Sequence, residues 1–259
     1  MKRLSYILLV TLASCTVLED RSVCPANMGL TVTSQPDYIY QDGLAWCSVY
    51  ASGGSRIAAS PLDSMNVRDT TLLYSVAKRE TVSAVASSRE IVDGSVVAER
   101  GDEMEELYAS RLDIDCSGEF AQGVIDYVDK QFCTLTVVLA DDAIPYASVL
   151  GVLVRGAYDG TSFPSLAARQ GEFLCEKPFG GKDAVEMRLP RQGGPGLVLE
   201  LFTDAFTATC DLYSIMEEAS YDWNAPSLDD FTVTVSINSV TGVIEVLDWE
   251  VEELGGREF

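Results

Sequence analysis

The chain has 259 residues, 47% of them hydrophobic and 22% charged, and 18 basic against 40 acidic residues give it a formal net charge of −22. This is the composition of a folded chain longer than one ordinary domain, so two domains are expected. Its charge disfavours nucleic acid and anionic headgroups as partners. The complete absence of histidine removes Ser-His-Asp and Cys-His catalysis and His-ligated zinc or haem.

The N-terminus has the form of a lipoprotein leader. Lys2 and Arg3 precede an apolar stretch, residues 4–12. It is too short for a bilayer span of ~20 residues but has the length of a signal h-region. Leu12-Ala13-Ser14-Cys15 follows: small residues for a signal peptidase, then a cysteine for thioether lipidation. Residues 1–14 are therefore expected to be removed by a cut between Ser14 and Cys15. Acyl chains of the palmitate kind on Cys15 would then hold the chain on a membrane, each buried methylene contributing about 0.8 kcal/mol. Later apolar runs, 134–140 and 149–154, are strand-sized.

Residues 15–29 form a short polar tether ending at Cys24-Pro25-Ala26-Asn27. Beyond it, segments 30–33, 44–51, 71–77, 81–86 and 90–98 are short, β-branched and bounded by turn residues, which predicts strands. Lys78-Arg79-Glu80 connects the third and fourth of these. Residues 103–109 are expected to form one or two helical turns capped by Asp102, and strand 112–116 closes this half. Residues 117–130 then have the character of a connection between halves. Strands are predicted over 132–140, 149–154, 172–177, 184–189 and 197–203, the last preceded by the turn Gln192-Gly193-Gly194-Pro195-Gly196. A short helix over 212–219 leads to strands 231–237 and 243–249, which alternate on both arms of a hairpin. Long helices are missing, so the pattern predicts an all-β chain of two sandwiches, residues 30–129 and 130–259.

Six cysteines remain after Cys15: Cys24, Cys47, Cys116, Cys133, Cys175 and Cys210. In an oxidising compartment they could form up to three disulfides, with a connectivity that spacing does not define. Cys47, Cys116 and Cys133 lie in or beside apolar runs, where a thiol serves equally as a small core hydrophobe. No metal site or cofactor is expected. Asp113-Ile114-Asp115-Cys116-Ser117-Gly118 begins like a calcium loop, but Val124 stands where the bidentate glutamate belongs. The doublets Asp141-Asp142, Glu217-Glu218, Asp229-Asp230 and Glu252-Glu253 sit where solvated turns belong. A pair of carboxylates flanking a sugar bond, as in a glycoside hydrolase, is the least favoured reading. Trp46, Tyr221 and Trp223, with Tyr38, Tyr40 and Pro226 nearby, are candidate glycan contacts that would suit a surface glycan-binding lipoprotein. Rings of this kind more often anchor a loop in the core.

The segment Cys15-x-x-x-Glu19-Asp20-x-x-x-Cys24-Pro25 resembles the start of the FimB-type fimbrial anchor lipoproteins, relatives of the type V fimbrillins. Residues 71–86 resemble that family's paired strands, residues 132–140 the strand opening its second domain, and Ile244-x-Val246-x-x-Trp249 its closing segment. Two departures stand out: Lys78-Arg79-Glu80 replaces a Gly/Pro-rich hairpin, and the 132–140 strand lacks its usual basic residue. The resemblance implies two tandem transthyretin-like Greek-key β-sandwiches with short helical crossovers. It also implies an outer-membrane lipoprotein that anchors or accompanies a fimbria, with fimbrial subunits as partners through β-strand addition and the membrane as partner through the lipid. The charged end Glu250-Val251-Glu252-Glu253-Leu254 makes a poor donor strand, so the subunit is expected to accept a strand rather than donate one from its C-terminus.

Overall fold

The computed structural model describes residues 24–32, 45–62, 71–76, 80–126, 128–140, 149–238 and 243–252. The leader and lipobox with Ser14 and Cys15, the rings of Tyr38 and Tyr40, Asp141-Asp142, the 239–242 turn and the carboxyl tail from Glu253 lie outside them.

The fold is all-β, with a single helix among the described residues. In the first half, β1 (Ala26–Val32) lies between β4 (Thr71–Val76) and β8 (Phe120–Ile125). Opposite them runs a sheet in the order β3 (Arg56–Leu62), β2 (Ala45–Tyr50), β5 (Thr81–Ser87), β7 (Tyr108–Asp115), β9 (Asp129–Lys130). In the second half, β10 (Phe132–Leu139) lies between β13 (Ala184–Pro190) and β16 (Asp230–Asn238), and β17 (Val243–Glu252) covers the outer edge of β16. The facing sheet runs β12 (Ala167–Pro178), β11 (Val149–Ser162), β14 (Val198–Thr203), β15 (Thr207–Asp211).

Alternation explains why these segments are strands. In β10, Leu135, Val137 and Leu139 are fully buried while Thr134, Thr136 and Val138 face the other way. β16 repeats the pattern with Phe231, Val233, Val235 and Ile237 inward. Side chains of both sheets in the second half merge into one core, and those of both sheets in the first half merge into another. Each fully buried aliphatic or aromatic side chain contributes roughly 1.5–3 kcal/mol. Helix α1 (Leu212–Glu218) follows β15, capped by Asp211, whose carboxylate accepts from the Ser214 N–H. It buries Leu212 and Met216.

Several expectations need correction. Residues 117–130 are not a mere connection: they contain β8, paired in parallel with β1. The helix expected at 103–109 is absent. Asp102 donates its N–H to the Glu99 carbonyl in a turn, and the chain then runs extended into β7. The second half recruits the groups a helix would have used. The Met104 N–H donates to the Arg188 carbonyl, and the Glu103 carboxylate accepts from the Arg188 N–H and from Lys177. The strand expected over 90–98 shrinks to β6 (Ser95–Val97), which pairs with β11 of the second half. The strand expected at 149–154 extends to Ser162, and β3 and β15 were not anticipated.

A third cluster joins the halves: Tyr50, Val85, Ile91, Val96, Met104, Leu107, Ala109, Phe132 and Phe163. At its rim the β6 backbone lies so close to β11 that a Cβ on Gly160 would fall 2.0 Å from the Val96 carbonyl oxygen. Gly160→Ala should therefore destabilise the protein by about 1–3 kcal/mol and raise hydrogen exchange around Val96 and Val97, measured by denaturant unfolding and exchange mass spectrometry. Glu103 supplies a pH dependence. Burial pushes its carboxyl up, but the Lys177 hydrogen bond, the Arg188 N–H and both cationic charges outweigh it and leave it below the usual range. A depressed carboxyl stabilises above its unfolded value and loses that contribution as pH falls through the folded one. Glu103→Gln should thus melt below the parent at pH 7, with the gap closing on acidification, measured by thermal melts across pH 3–7.

Candidate functional site

Cys24 and Pro25, both exposed, lead into β1, whose Ala26, Met28, Gly29, Leu30 and Val32 are buried while Asn27 is exposed. β1 is the central strand of its sheet, antiparallel to β4 and parallel to β8. Two ladders therefore hold the first strand of the described residues.

The outer face of this sheet is mixed, with three exposed apolar side chains among Asn27, Thr31, Thr71, Ser75 and Gln122. Leu73 on β4 is 76% exposed, and Phe120 and Val124 on β8 are 55% and 50% exposed. The register sets Gly29 between Leu73 and Gln122. A Cβ on Gly29 would come within 3.4 Å of the Phe120 ring, so the glycine leaves a shallow floor that the ring overlies. Inward, Ala121, Gly123 and Ile125 are buried, and a Cβ on Gly123 would meet Ile114 of β7 at 2.4 Å. This glycine lets β8 settle closely on β7.

β8 also ends the sheet among the described residues. The Asn27 N–H donates to the Glu119 carbonyl at 2.9 Å. Along a strand, alternate residues direct their backbone groups to the same side. Ala121, Gly123 and Ile125 thus bond toward β1, and the N–H and C=O groups of Phe120, Gln122 and Val124 point to the outer edge.

Among the proposed glycan contacts, Tyr221 and Trp223 are corrected by their burial, 7% and 4% exposed. Their rings pack together with centroids 4.7 Å apart, Tyr221 also meets Phe231 edge-on, and the Tyr221 hydroxyl donates to the Asp229 carbonyl. They anchor the loop before β16 and present no face to a sugar. Trp46, on β2, is half-buried.

Cys47, Cys116, Cys133, Cys175 and Cys210 are free thiols, so no disulfide joins these five. The register sets Cys47 against Ser60 and Ala86, Cys133 against Leu189, Cys175 against Val154 and Cys210 against Leu199. Each fills core or near-core space as a small hydrophobe. Burial pushes the Cys47 and Cys175 thiols up to about 11 and the Cys133 and Cys210 thiols up to about 12. Cys24 is exposed at the head of β1. No group of three or more metal-ligating side chains occurs among the described residues, and no described helix is long and apolar enough to cross a membrane.

No protein-family model matches this sequence, and no curated protein matches it. Solved structures do share the fold. The fimbrial anchor protein Mfa2 from Porphyromonas gingivalis is similar over 88% of this chain and 97% of its own, with a TM-score of 0.57 and 12% identity. A proposed polysaccharide-binding protein from Bacteroides thetaiotaomicron is similar over 87% and 95%, with a TM-score of 0.57 and 8% identity. A proposed adhesin from the same organism is similar over 88% and 98%, with a TM-score of 0.55 and 12% identity. The structural neighbours are thus fimbrial and adhesin-like proteins, and the likeness extends over nearly their whole length.

The thiolate is the reactive form of a cysteine, so the thiols with raised values should resist alkylation. Iodoacetamide at pH 8 on the native protein should modify Cys24 and leave Cys47, Cys116, Cys133, Cys175 and Cys210 untouched until denaturant is added. Peptide mass spectrometry would read the sites.

Proposed function

We propose that this chain is a non-catalytic anchor or accessory subunit of a fimbria, held on the outer membrane by lipid on Cys15 and joined to neighbouring subunits by β-strand addition. The observation that carries this reading is the fold shared with a fimbrial anchor protein over 88% of this chain and 97% of the other, together with the lipobox Leu12-Ala13-Ser14-Cys15.

The path from lipid to fold supports an anchoring role. The segment from Cys15 to Cys24 spans at most roughly 30 Å when fully extended, so the lipid would hold the first sandwich close to the bilayer. A pull on Cys15 acts along β1, whereas its ladder hydrogen bonds to β4 and β8 run across it. The rungs would then share the load in shear rather than opening one at a time. Strand addition needs an edge with unsatisfied backbone groups, and the outward-facing groups of β8 have that form. The glycan-binding reading loses two of its three rings to the core.

The test is in producing cells. The N-terminal peptide should carry acyl chains on Cys15 by mass spectrometry, Cys15→Ser should release the protein from the outer membrane, and fimbrial subunits should co-isolate with the lipidated form. Fimbriae of normal length and attachment after deletion of this chain would refute the anchor role.

A further inference from the structure

We infer that the outer face of the β4-β1-β8 sheet rests on the lipid surface to which Cys15 tethers the chain, with Leu73, Phe120 and Val124 entering the headgroup layer. The inference rests on the lipid-anchor reading above and deepens it, because it fixes which side of the protein meets the bilayer.

The first support is the composition of the face. The register sets nine outward positions in three rows: Ser75-Asn27-Phe120, Leu73-Gly29-Gln122 and Thr71-Thr31-Val124. None of the nine is charged, in a chain with 18 basic and 40 acidic residues. Leu73 is the most exposed large apolar side chain among the described residues, and Phe120 and Val124 stand beside it half-exposed. The Thr31 and Thr71 hydroxyls bond to each other at 3.0 Å. Apolar side chains exposed together mark a surface that meets a partner or a membrane.

The second support is comparison with the other sheets. The equivalent sheet of the second half has the same strand arrangement, yet its outer face sets Arg188 and Glu186 beside Thr134 and Thr136, and Glu250 and Asp248 beside Thr232 and Thr234. The outer face of the β3-β2-β5-β7-β9 sheet has exposed Arg111 and Asp113. That of the β12-β11-β14-β15 sheet has Arg155, Glu176 and Glu200. Among the described residues, only the face that follows the tether lacks charge.

Reach and charge select the occupant. Asn27 opens this face three positions after Cys24, so an extended chain brings it within about 40 Å of Cys15. Tethering at that range gives an effective concentration on the order of millimolar, so a shallow contact of three side chains suffices without independent membrane affinity. Interfacial binding grows with buried apolar area and is opposed by like charge. An uncharged face minimises that repulsion. A protein partner steered by the acidic charge of this chain would find none of it here, and a second copy would bring −22 against −22.

The test uses the acylated protein in phosphatidylcholine vesicles that contain lipids brominated on the acyl chain. A Cys24→Ser background lets a thiol-linked fluorophore report one site at a time: Leu73→Cys, Val124→Cys, or Glu186→Cys on the second half. Bromolipid should quench the first two at least threefold more than the third. Adding Leu73→Glu to the Val124→Cys protein should cut quenching at least twofold while the acylated chain stays on the vesicles. Phe120→Glu serves if thermal melting shows that Leu73→Glu fails to fold. Equal quenching at the three sites, or quenching undiminished by the glutamate variants, would overturn the inference. So would shielding of the Leu73→Cys probe from aqueous iodide in the unacylated Cys15→Ser chain, which would mean that a segment of the chain's own covers the face. Loss of bromolipid quenching on adding fimbrial subunits would also overturn it and assign the face to a subunit contact. An acylated chain with equal quenching everywhere would leave the anchor reading standing. A chain found unacylated, yet quenched at Leu73→Cys, would retain the face and refute the anchor. An unacylated chain that ignores vesicles would refute both.

Discussion

Each half of the molecule depends on one non-local event, the parallel docking of a late strand beside the first. Asn27 pairs with Phe120 in one half and Leu135 with Phe231 in the other. Until β8 and β16 arrive, β1 and β10 have backbone groups on one side with no partner, and neither core is closed. Such pairing bears the full loop-closure entropy before any contact repays it. The first half meets this demand with small residues at the closure. Gly123 lets β8 approach Ile114 of β7, and Gly29 makes room for Thr71 and the Phe120 ring. A side chain at Gly123 would push β8 off β7 of the facing sheet.

The halves are joined by polar groups as well as by the shared apolar cluster. Buried Arg191 donates to the carbonyls of Trp223, Ala225 and Pro226 and to the Gln131 side-chain oxygen. Gln131 in turn donates to the carbonyls of Ala109, Asp129 and Pro226. Desolvation pulls the guanidinium below its ordinary value, while the neighbouring Tyr221, Asp222 and Asp129 act against it. Buried Lys130 pairs with Asp230, whose carboxylate also accepts from the Thr134 N–H. Removing one partner from such a set leaves a buried charge or carbonyl uncompensated, which costs far more than the interaction gains. The network therefore gives the junction a definite geometry more than it gives raw stability.

What the sequence made legible follows the same physics. Segments with strict alternation and one buried face, β10 and β16, are recognisable because period and burial agree. β8 reads as a connection in the sequence because Gln122 and Gly123 interrupt its apolar run, although Gly123 permits close packing on β7. β3 contains Pro61 and β15 is short and polar, so their pairing is decided by neighbours rather than by propensity. The pattern of 103–109 suits a helix in isolation, but Lys177 and Arg188 offer Glu103 and Met104 better partners, and those lie in the other half. The rings of Tyr221 and Trp223 are equally compatible with a sugar platform and a core anchor until the face they occupy is known. The outward phase of Phe120, Gln122 and Val124 needs the register with β1, which no reading of a single segment supplies.

The two sandwiches differ at their edges, and the difference has a direction. β17 ends its sheet with exposed Glu245, Asp248, Glu250 and Glu252 and a bulge between its pairings to Thr234 and Val235, the devices by which an edge refuses further strands. β8 ends its sheet with neither charge nor bulge. Among the described residues β4, at the other edge of the same sheet, likewise has neither charge nor bulge, so the first half leaves both edges of its small sheet bare where the second covers β16 with a charged strand.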